Sequence, residues 1–385
     1  MSKRVLFYSQ LLLLLPLLAA VSFGVKAETI AIQPDGYLDG QGGEIATLAN
    51  LRWLSETPAA WDEDWVQTAD IDATETKEWH HEKGFQPIGD PSHGDLSQIP
   101  FTGSYNGQFH AISKLYLNNR GHDFIAMFGA TDTAEISNLR LIDIISRGRR
   151  RAAGLVAHSK KSHIKNIYLT GEIFGFTPVG GVSGEFREGS LENIHVNALV
   201  DGFYFSADVG GIAGFIIRSN AIDLYSEGTI QSSGTQPSVG GLYGEIYDGQ
   251  TKNSYSNTTL ISAKPSFGLY GRARDSAQFI DSYFDCESGG YTADLSDCVD
   301  VAPDSLGRPS AYFKDSTNFP NWDSGTPWQS GRWHFEHNQA ARLNIEDPPL
   351  FSLPTDLIAP QTSDEDALFS LQITALPSSH SPHPV

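Results

Sequence analysis

Between residues 101 and 284 the chain alternates short apolar and polar runs, with glycine between the runs. The alternating apolar positions are Leu139, Leu141, Ile167, Leu169, Ile194 and Val196. Successive side chains of a strand point to opposite sides, so this pattern predicts half-buried β-strands. No helical apolar period runs through the region, and the strands are therefore expected to form most of the fold.

A double glycine recurs at a constant interval. The pairs are Gly180-Gly181, Gly210-Gly211 and Gly240-Gly241, and the differences 210 − 180 and 240 − 210 are equal. The last glycine of each unit, or its substitute, stands at Gly129, Ala157, Gly184, Gly214, Gly244 and Gly271. A repeat of this length is typical of solenoids, whose units bury their apolar faces only by stacking. The sequence predicts an all-β parallel β-helix of about six to seven coils with a cap at each end.

A polar residue occupies the same place in each unit, nine residues after the first five of these positions. The residues are Asn138, Asn166, Asn193, Asp223 and Asn253. Stacked coils would place them one above another, so we expect a side-chain ladder at one corner. Residues 101–117 are expected to form an irregular first coil, in which Ile112 aligns with Ile136.

The remaining segments differ in composition. Residues 1–27 combine a basic start with an apolar stretch, which predicts a signal peptide cleaved near Ala27 and a secreted or cell-surface protein, with the periplasm as the alternative. Residues 28–100 are predicted to form a cap with one short helix around Leu48–Leu54 and a strand at Val66–Ile71. The β-helix itself is expected over 101–285, a second cap over 286–353 and a disordered tail over 354–385.

Composition narrows the range of partners. The formal net charge of −20 argues against nucleic-acid binding, which needs a basic surface. No apolar run after residue 27 is long enough to predict a membrane span. The two cysteines, Cys286 and Cys298, are expected to pair in an oxidising compartment. No cofactor or metal is predicted, although the oxygen-rich segment 35–44 leaves calcium binding open, and the oligomeric state is open as well.

Two groups of residues are candidates for ligand binding. The first is an outward row on the best-aligned strand, made of Tyr168, His195, Tyr225, Tyr255 and Tyr283. Such rings could stack against sugars, or they could serve only to stabilise the sheet. The second is the basic loop Arg149, Arg150 and Arg151, which could bind an anionic polysaccharide or lipid headgroup or could simply be solvated.

The glycine motifs resemble those of the GLUG-repeat family. They read Gly210-Gly-Ile-Ala-Gly214, Gly240-Gly-Leu-Tyr-Gly244 and Phe267-Gly-Leu-Tyr-Gly271, and Asn253-Ser-Tyr-Ser256 is similar to the second half of the repeat. The resemblance covers roughly residues 44 to 350. It implies a right-handed β-helix with an adhesive or structural role in a bacterial surface or secreted protein, and it implies no catalytic residues. Ala157 departs from the motif glycine.

Three functions follow from these observations. The first is a non-catalytic secreted or surface protein that binds glycan or extracellular matrix through a repeated face. The second is a β-helix polysaccharide lyase or hydrolase, which would need paired carboxylates on an outward face. No such pair occurs on the tyrosine strand, and Asp143, Asp201 and Asp208 lie in predicted loops. The third is a purely structural extracellular spacer.

Overall fold

The computed structural model describes residues 28–89, 99–262, 268–287, 306–322, 332–335 and 339–345. The predicted signal peptide, the predicted tail over 354–385 and Cys298 lie outside these residues, so the signal peptide, the tail and the Cys286–Cys298 pair stay predictions.

The N-terminal part consists of short strands and one regular helix. The strands are β1 Gly43–Ile45, β2 Asp64–Gln67, β3 Ile71–Asp72, β4 Ser104–Asn106, β5 Ala111–Ser113 and β6 Tyr116–Asn118. Helix α1 spans Leu48–Glu56. Its N-cap residue is Thr47, whose hydroxyl accepts a hydrogen bond from the Asn50 N–H. A second segment, α2 (Trp79–Glu82), is a single turn in which His80 and His81 adopt left-handed backbone angles.

The central part repeats a short strand, a second strand and a long strand. In chain order the strands are β7 Phe128–Asp132, β8 Glu135–Arg147, β9 Ala152–Ala153, β10 Val156–Lys160, β11 His163–Gly175, β12 Val179–Gly180, β13 Ser183–Arg187, β14 Ser190–Gly202, β15 Asp208–Gly210, β16 Ala213–Ser232, β17 Ser238–Gly240, β18 Tyr243–Lys252, β19 Tyr255–Ser262, β20 Tyr270–Arg274, β21 Gln278–Ile280 and β22 Tyr283–Asp285. The C-terminal strands are β23 Gly307–Arg308, β24 Trp333–His334 and β25 Arg342–Leu343, accompanied by 3₁₀ turns at Ser310–Lys314 and Ser316–Asn318.

Among the described residues, the strands of successive coils pair in parallel, and only an isolated bridge between Gly84 and Leu117 is antiparallel. Leu141, Leu169 and Val196 lie in register on adjacent coils, and β16 and β19 continue the same column. The predicted inward residues on β8, β11 and β14 are fully buried in one continuous core. The prediction of a parallel β-helix is therefore confirmed, with about six coils.

The double glycine is required by close approach of neighbouring coils. The Gly211 N–H donates to the Gly241 carbonyl (3.1 Å), and Gly181 bonds Gly211 in the same way. A Cβ on Gly211 would lie 2.3 Å from the Gly241 oxygen and 1.9 Å from Oγ of Ser226. The backbone angles here are ordinary, so the constraint is space at the corner, which only glycine leaves open.

The asparagine ladder occupies the first half of the solenoid. Asn166 Nδ2 donates to Asn138 Oδ1 (2.7 Å), and Asn193 Nδ2 donates to Asn166 Oδ1 (2.8 Å). Each of these residues has a positive φ, a conformation that asparagine tolerates better than most residues. The expected continuation through Asp223 and Asn253 is wrong, because a carboxylate has no N–H to donate to Asn193, and Asn253 Nδ2 donates to the Asn321 carbonyl instead. The ladder ends at Asn193, whose Oδ1 is buried without a hydrogen-bond partner.

The N-terminal segment differs from the predicted cap in two ways. Strands β2 and β3 pair in register with β4 and β5, so residues 28–89 extend the coil stack as well as covering its end with α1. The predicted single strand over 66–71 is two strands. The alignment of Ile112 with Ile136 is also wrong: Tyr105 pairs with Ile136, and Asn106 starts the ladder by accepting from Asn138 Nδ2 (2.9 Å).

The ladder makes a testable contribution to stability. Asn166→Ala removes two side-chain hydrogen bonds and places alanine at a φ of 56°, so we expect a loss of about 3 kcal/mol in the free energy of unfolding. Urea denaturation measures it. Lys161→Ala is the matched control, because Lys161 is exposed, has a φ of 52° and lies outside the ladder. Equal losses in the two variants would contradict a role for the ladder.

Candidate binding surface

The tyrosine row forms a stack of rings along the solenoid. The rings of His195 and Tyr225 lie 4.4 Å apart at 16°, and those of Tyr225 and Tyr255 lie 4.7 Å apart at 6°. Tyr168 and Tyr283 extend the row at its two ends. The register of the coils therefore brings these side chains together on one outward face, as the sequence predicts.

The row is not exposed, which corrects the expectation of an open platform. Tyr225, Tyr255 and His195 are 4%, 0% and 1% exposed. An aromatic cover from the C-terminal part of the chain packs over them, and its members are Phe313, Phe319, Trp322, Trp333 and Phe335. Phe313 stacks on Tyr255 with ring centres 4.3 Å apart. Within the described residues, the row forms a second hydrophobic core between the solenoid and this cover.

Polar contacts anchor the cover at the corner where the asparagine ladder stops. Asp223 accepts hydrogen bonds from Trp333 Nε1 and Arg332 Nη1, both at 2.8 Å. Asn253 Nδ2 donates to the Asn321 carbonyl (3.2 Å), and Trp322 Nε1 donates to the Asp281 carbonyl (2.9 Å). The replacement of asparagine by aspartate at 223 thus provides a carboxylate for the cover instead of a rung for the ladder.

The basic loop lies on another side, which we call the loop edge and define as the stacked loops 148–151, 176–178, 203–207 and 233–237. Backbone hydrogen bonds join these loops, for example Phe176 N to Arg149 O (2.6 Å) and Gln236 N to Phe205 O (2.8 Å). Arg149 and Arg150 are exposed here. The Arg149 guanidinium bonds both oxygens of Asp123 (2.7 and 3.2 Å).

Arg151 does not belong to the exposed part of this surface. Its guanidinium bonds Glu185, which is 2% exposed, and packs over the Phe124 ring at 5.1 Å. Arg187 also bonds Glu185, and His158 lies beside it, but burial lowers the pKa of His158 to about 4. Burial alone would raise the pKa of the Glu185 carboxyl, but the guanidinium groups of Arg151 and Arg187 outweigh it and lower this pKa. Arg151 therefore has a structural partner, and only Arg149 and Arg150 of the predicted basic loop face solvent.

Sequence reasoning missed the aromatic tip of the loop edge. Phe203, Tyr204 and Phe205 are 38%, 48% and 61% exposed. Phe176, one coil earlier, lies 4.8 Å from the Phe203 ring and is stacked with Tyr204 at 6.1 Å and 9°. Three consecutive aromatic residues between a strand and a double-glycine corner were the available signal in the sequence.

A pair of carboxylates lies near the C-terminal end of the loop edge. Glu245 is 6% exposed and bonds Arg272 (2.8 Å) and Arg274 (2.5 Å). Burial first, and then the charge of Glu245, raise the pKa of Asp208 to about 6. Asp208 does not lie in a loop, as the sequence predicts, but begins β15, where its side chain is half-buried. The arginine pairs give this cluster a structural explanation.

The described residues contain no group of three or more histidine, cysteine, aspartate or glutamate side chains placed to hold a metal ion. Segment 35–44 forms turns in which the Gly40 N–H donates to Glu63 Oε1 (2.7 Å). Among all the residues that the structure describes, no helix has the length and apolar character needed to cross a bilayer.

Comparison with known proteins adds two similarities. No protein-family model matches the chain. Over 143 residues, or 37% of the chain, the sequence is 34% identical to Halomucin of Haloquadratum walsbyi, but this spans only 2% of the length of that protein. The structure is similar to a crystal structure from Bacteroides ovatus described as a "putative immunoglobulin A1 protease", with a TM-score of 0.52 and 18% identity over 65% of this chain and 76% of that one. The second similarity supports the β-helix fold.

The hydrogen bond from Trp333 to Asp223 can be tested separately from ring packing. Trp333→Phe keeps an aromatic ring and removes the indole N–H, so we expect a loss of about 2 kcal/mol in the free energy of unfolding. Trp53→Phe is the control, because Trp53 packs among rings in the N-terminal part. Urea denaturation that shows the same loss for both variants would argue against anchoring by Asp223.

The raised pKa of Asp208 predicts that the free energy of unfolding depends on pH. Its folded-state pKa is raised from 3.8 to about 6, so its stabilising contribution is complete below pH 3.8 and is lost as the pH rises through 6. Asp208→Asn is expected to gain about 2–3 kcal/mol relative to wild type between pH 3.5 and 7.5. Chemical unfolding at both pH values checks this, with the exposed Asp39→Asn as the control for removing one charge. A pH-independent difference for Asp208→Asn would refute it.

Proposed function

We propose that this protein is a non-catalytic, secreted or cell-surface β-helix that binds glycan or extracellular matrix polysaccharide through its loop edge. The observation that carries the proposal is the cluster of exposed rings at Phe203, Tyr204 and Phe205, supported by Phe176 and lying on the same edge as Arg149. Exposed aromatic side chains grouped in this way mark interaction sites in soluble proteins.

The chemistry of the loop edge suits sugars. An aromatic ring offers flat apolar area to the C–H face of a pyranose, and tyrosine adds a hydroxyl that can hydrogen-bond. Arginine supplies several N–H donors for sugar or carboxylate oxygens. The loops stack along the solenoid, so a long chain could make many weak contacts and gain affinity through their number.

The comparisons support an extracellular setting. The relative that matches part of this chain is called Halomucin, a name that favours a surface or secreted protein. The predicted signal peptide over 1–27 and the resemblance to GLUG repeats favour the same location. The proposed function is non-catalytic because the neighbouring carboxylates Asp208 and Glu245 belong to a cluster with Arg272 and Arg274.

The aromatic tip is the part to test. The triple variant Phe203→Ser, Tyr204→Ser, Phe205→Ser should lose about 1 kcal/mol of binding free energy for each stacking ring. We therefore expect at least a tenfold weaker affinity for any polysaccharide that the wild type binds in a glycan array. Tyr247→Ser is the control, because Tyr247 is 38% exposed on β18, away from the loop edge. Unchanged binding by the triple variant would remove the loop edge as the contact surface.

A further inference from the structure

A cleft lies at the N-terminal end of the loop edge. Its volume is about 870 Å³, and it opens between the turn 80–87 and the loop 117–125, with Arg149 on its rim. Phe85 and Phe124 belong to its wall, but both side chains are buried and offer little surface to a ligand. A cleft of this size, part apolar and part polar, falls in the range that binds small ligands.

Both carboxylates that line the cleft have a cationic partner, although Arg52, the partner of Glu28, also pairs with Glu56. Glu28 forms an ion pair with Arg52 (3.2 Å) and accepts the His80 N–H (3.0 Å). Asp123 accepts from Nε and Nη2 of Arg149 and from the Arg150 backbone N–H. Neither carboxylate is therefore left as an open negative charge facing a ligand.

The donors that remain are cationic or neutral. Lys83, His81 and His122 are exposed in the cleft, and no ion pair involves them among the described residues. A guanidinium carries five N–H groups, and two of those of Arg149 bond Asp123, which leaves three. The lining carries two formal positive charges, Lys83 and Arg149, and two negative charges, Glu28 and Asp123, and so is neutral within a chain of net charge −20. Lys83 has no ion-pair partner among the described residues, and its ammonium group would attract an anionic group.

The cleft is continuous with the loop edge. The Arg149 N–H donates to the His122 carbonyl (2.8 Å), and the Phe176 N–H donates to the Arg149 carbonyl. A polysaccharide lying on Phe203 and Phe176 would therefore reach the cleft after passing two coils. Neighbouring coils are about 4.8 Å apart.

We infer that the cleft is a subsite for an acidic sugar, whose carboxylate or sulfate group is held by Lys83, His122 and the free N–H groups of Arg149. This inference rests on the proposed function, because it names the ligand class for the same surface. The donors of the cleft would select the anionic group over a neutral hydroxymethyl.

Small sugars test the cleft without the loop edge. Galacturonate and galactose 6-sulfate, titrated into protein labelled with ¹⁵N in its histidines, should shift the NMR signals of the His81 and His122 rings, whereas galactose should not.

The double variant Lys83→Ala, His122→Ala should weaken galacturonate binding about tenfold. The control is Lys314→Ala, which removes an exposed lysine elsewhere and should leave the binding unchanged. A response to only one of the two anions identifies the preferred acidic group. No shift with either anion, or equal shifts with galactose, would overturn the subsite.

Polysaccharides separate this inference from the proposed function. If alginate binds more tightly than neutral laminarin and the double variant abolishes the difference, both are supported. If alginate and laminarin bind equally and only the aromatic-tip variant weakens them, the loop edge is correct and the acidic subsite is wrong. If no polysaccharide binds but galacturonate still shifts His122, the subsite is correct and the proposed function fails.

Discussion

Main-chain hydrogen bonding between stacked coils is the constraint on which every other feature depends. It requires each coil to present its N–H and C=O groups at the height of the next coil, so residues one repeat apart become neighbours in space. Leu141, Leu169 and Val196 form one apolar column for this reason, and Asn138, Asn166 and Asn193 form one polar column. A property that repeats along the sequence becomes a continuous surface or core in the structure.

The fold could be predicted from the sequence because this constraint leaves a periodic trace. The glycine interval, the alternating apolar residues and the asparagine position all report on local requirements of a coil. The register of residues 101–117 could not be predicted in the same way. There the chain makes a longer excursion, and the pairing of Tyr105 with Ile136 depends on that loop rather than on a repeat.

The candidate site was harder to predict for a different physical reason. The alternation correctly places Tyr225 and Tyr255 on the outward side, but their exposure depends on contacts with a segment that follows the last coil. Phe313 and Trp333 bury these rings, and no periodicity connects the two segments. The aromatic tip at 203–205 lies in a loop, where the repeat imposes no pattern, so its exposure was visible only once the coils were stacked.

The cover also limits how this solenoid could change in length. The cover forms hydrogen bonds with the corner residues of three successive coils, at Asp223, Asn253 and Asp281. The spacing of its bonding groups therefore matches the rise of those coils. A duplicated coil between 223 and 281 would pull these anchors out of step with the cover. A duplication between Asn138 and Asn193 would only lengthen the amide ladder, so growth of the protein by repeat gain is tolerated in its first half and penalised in its second.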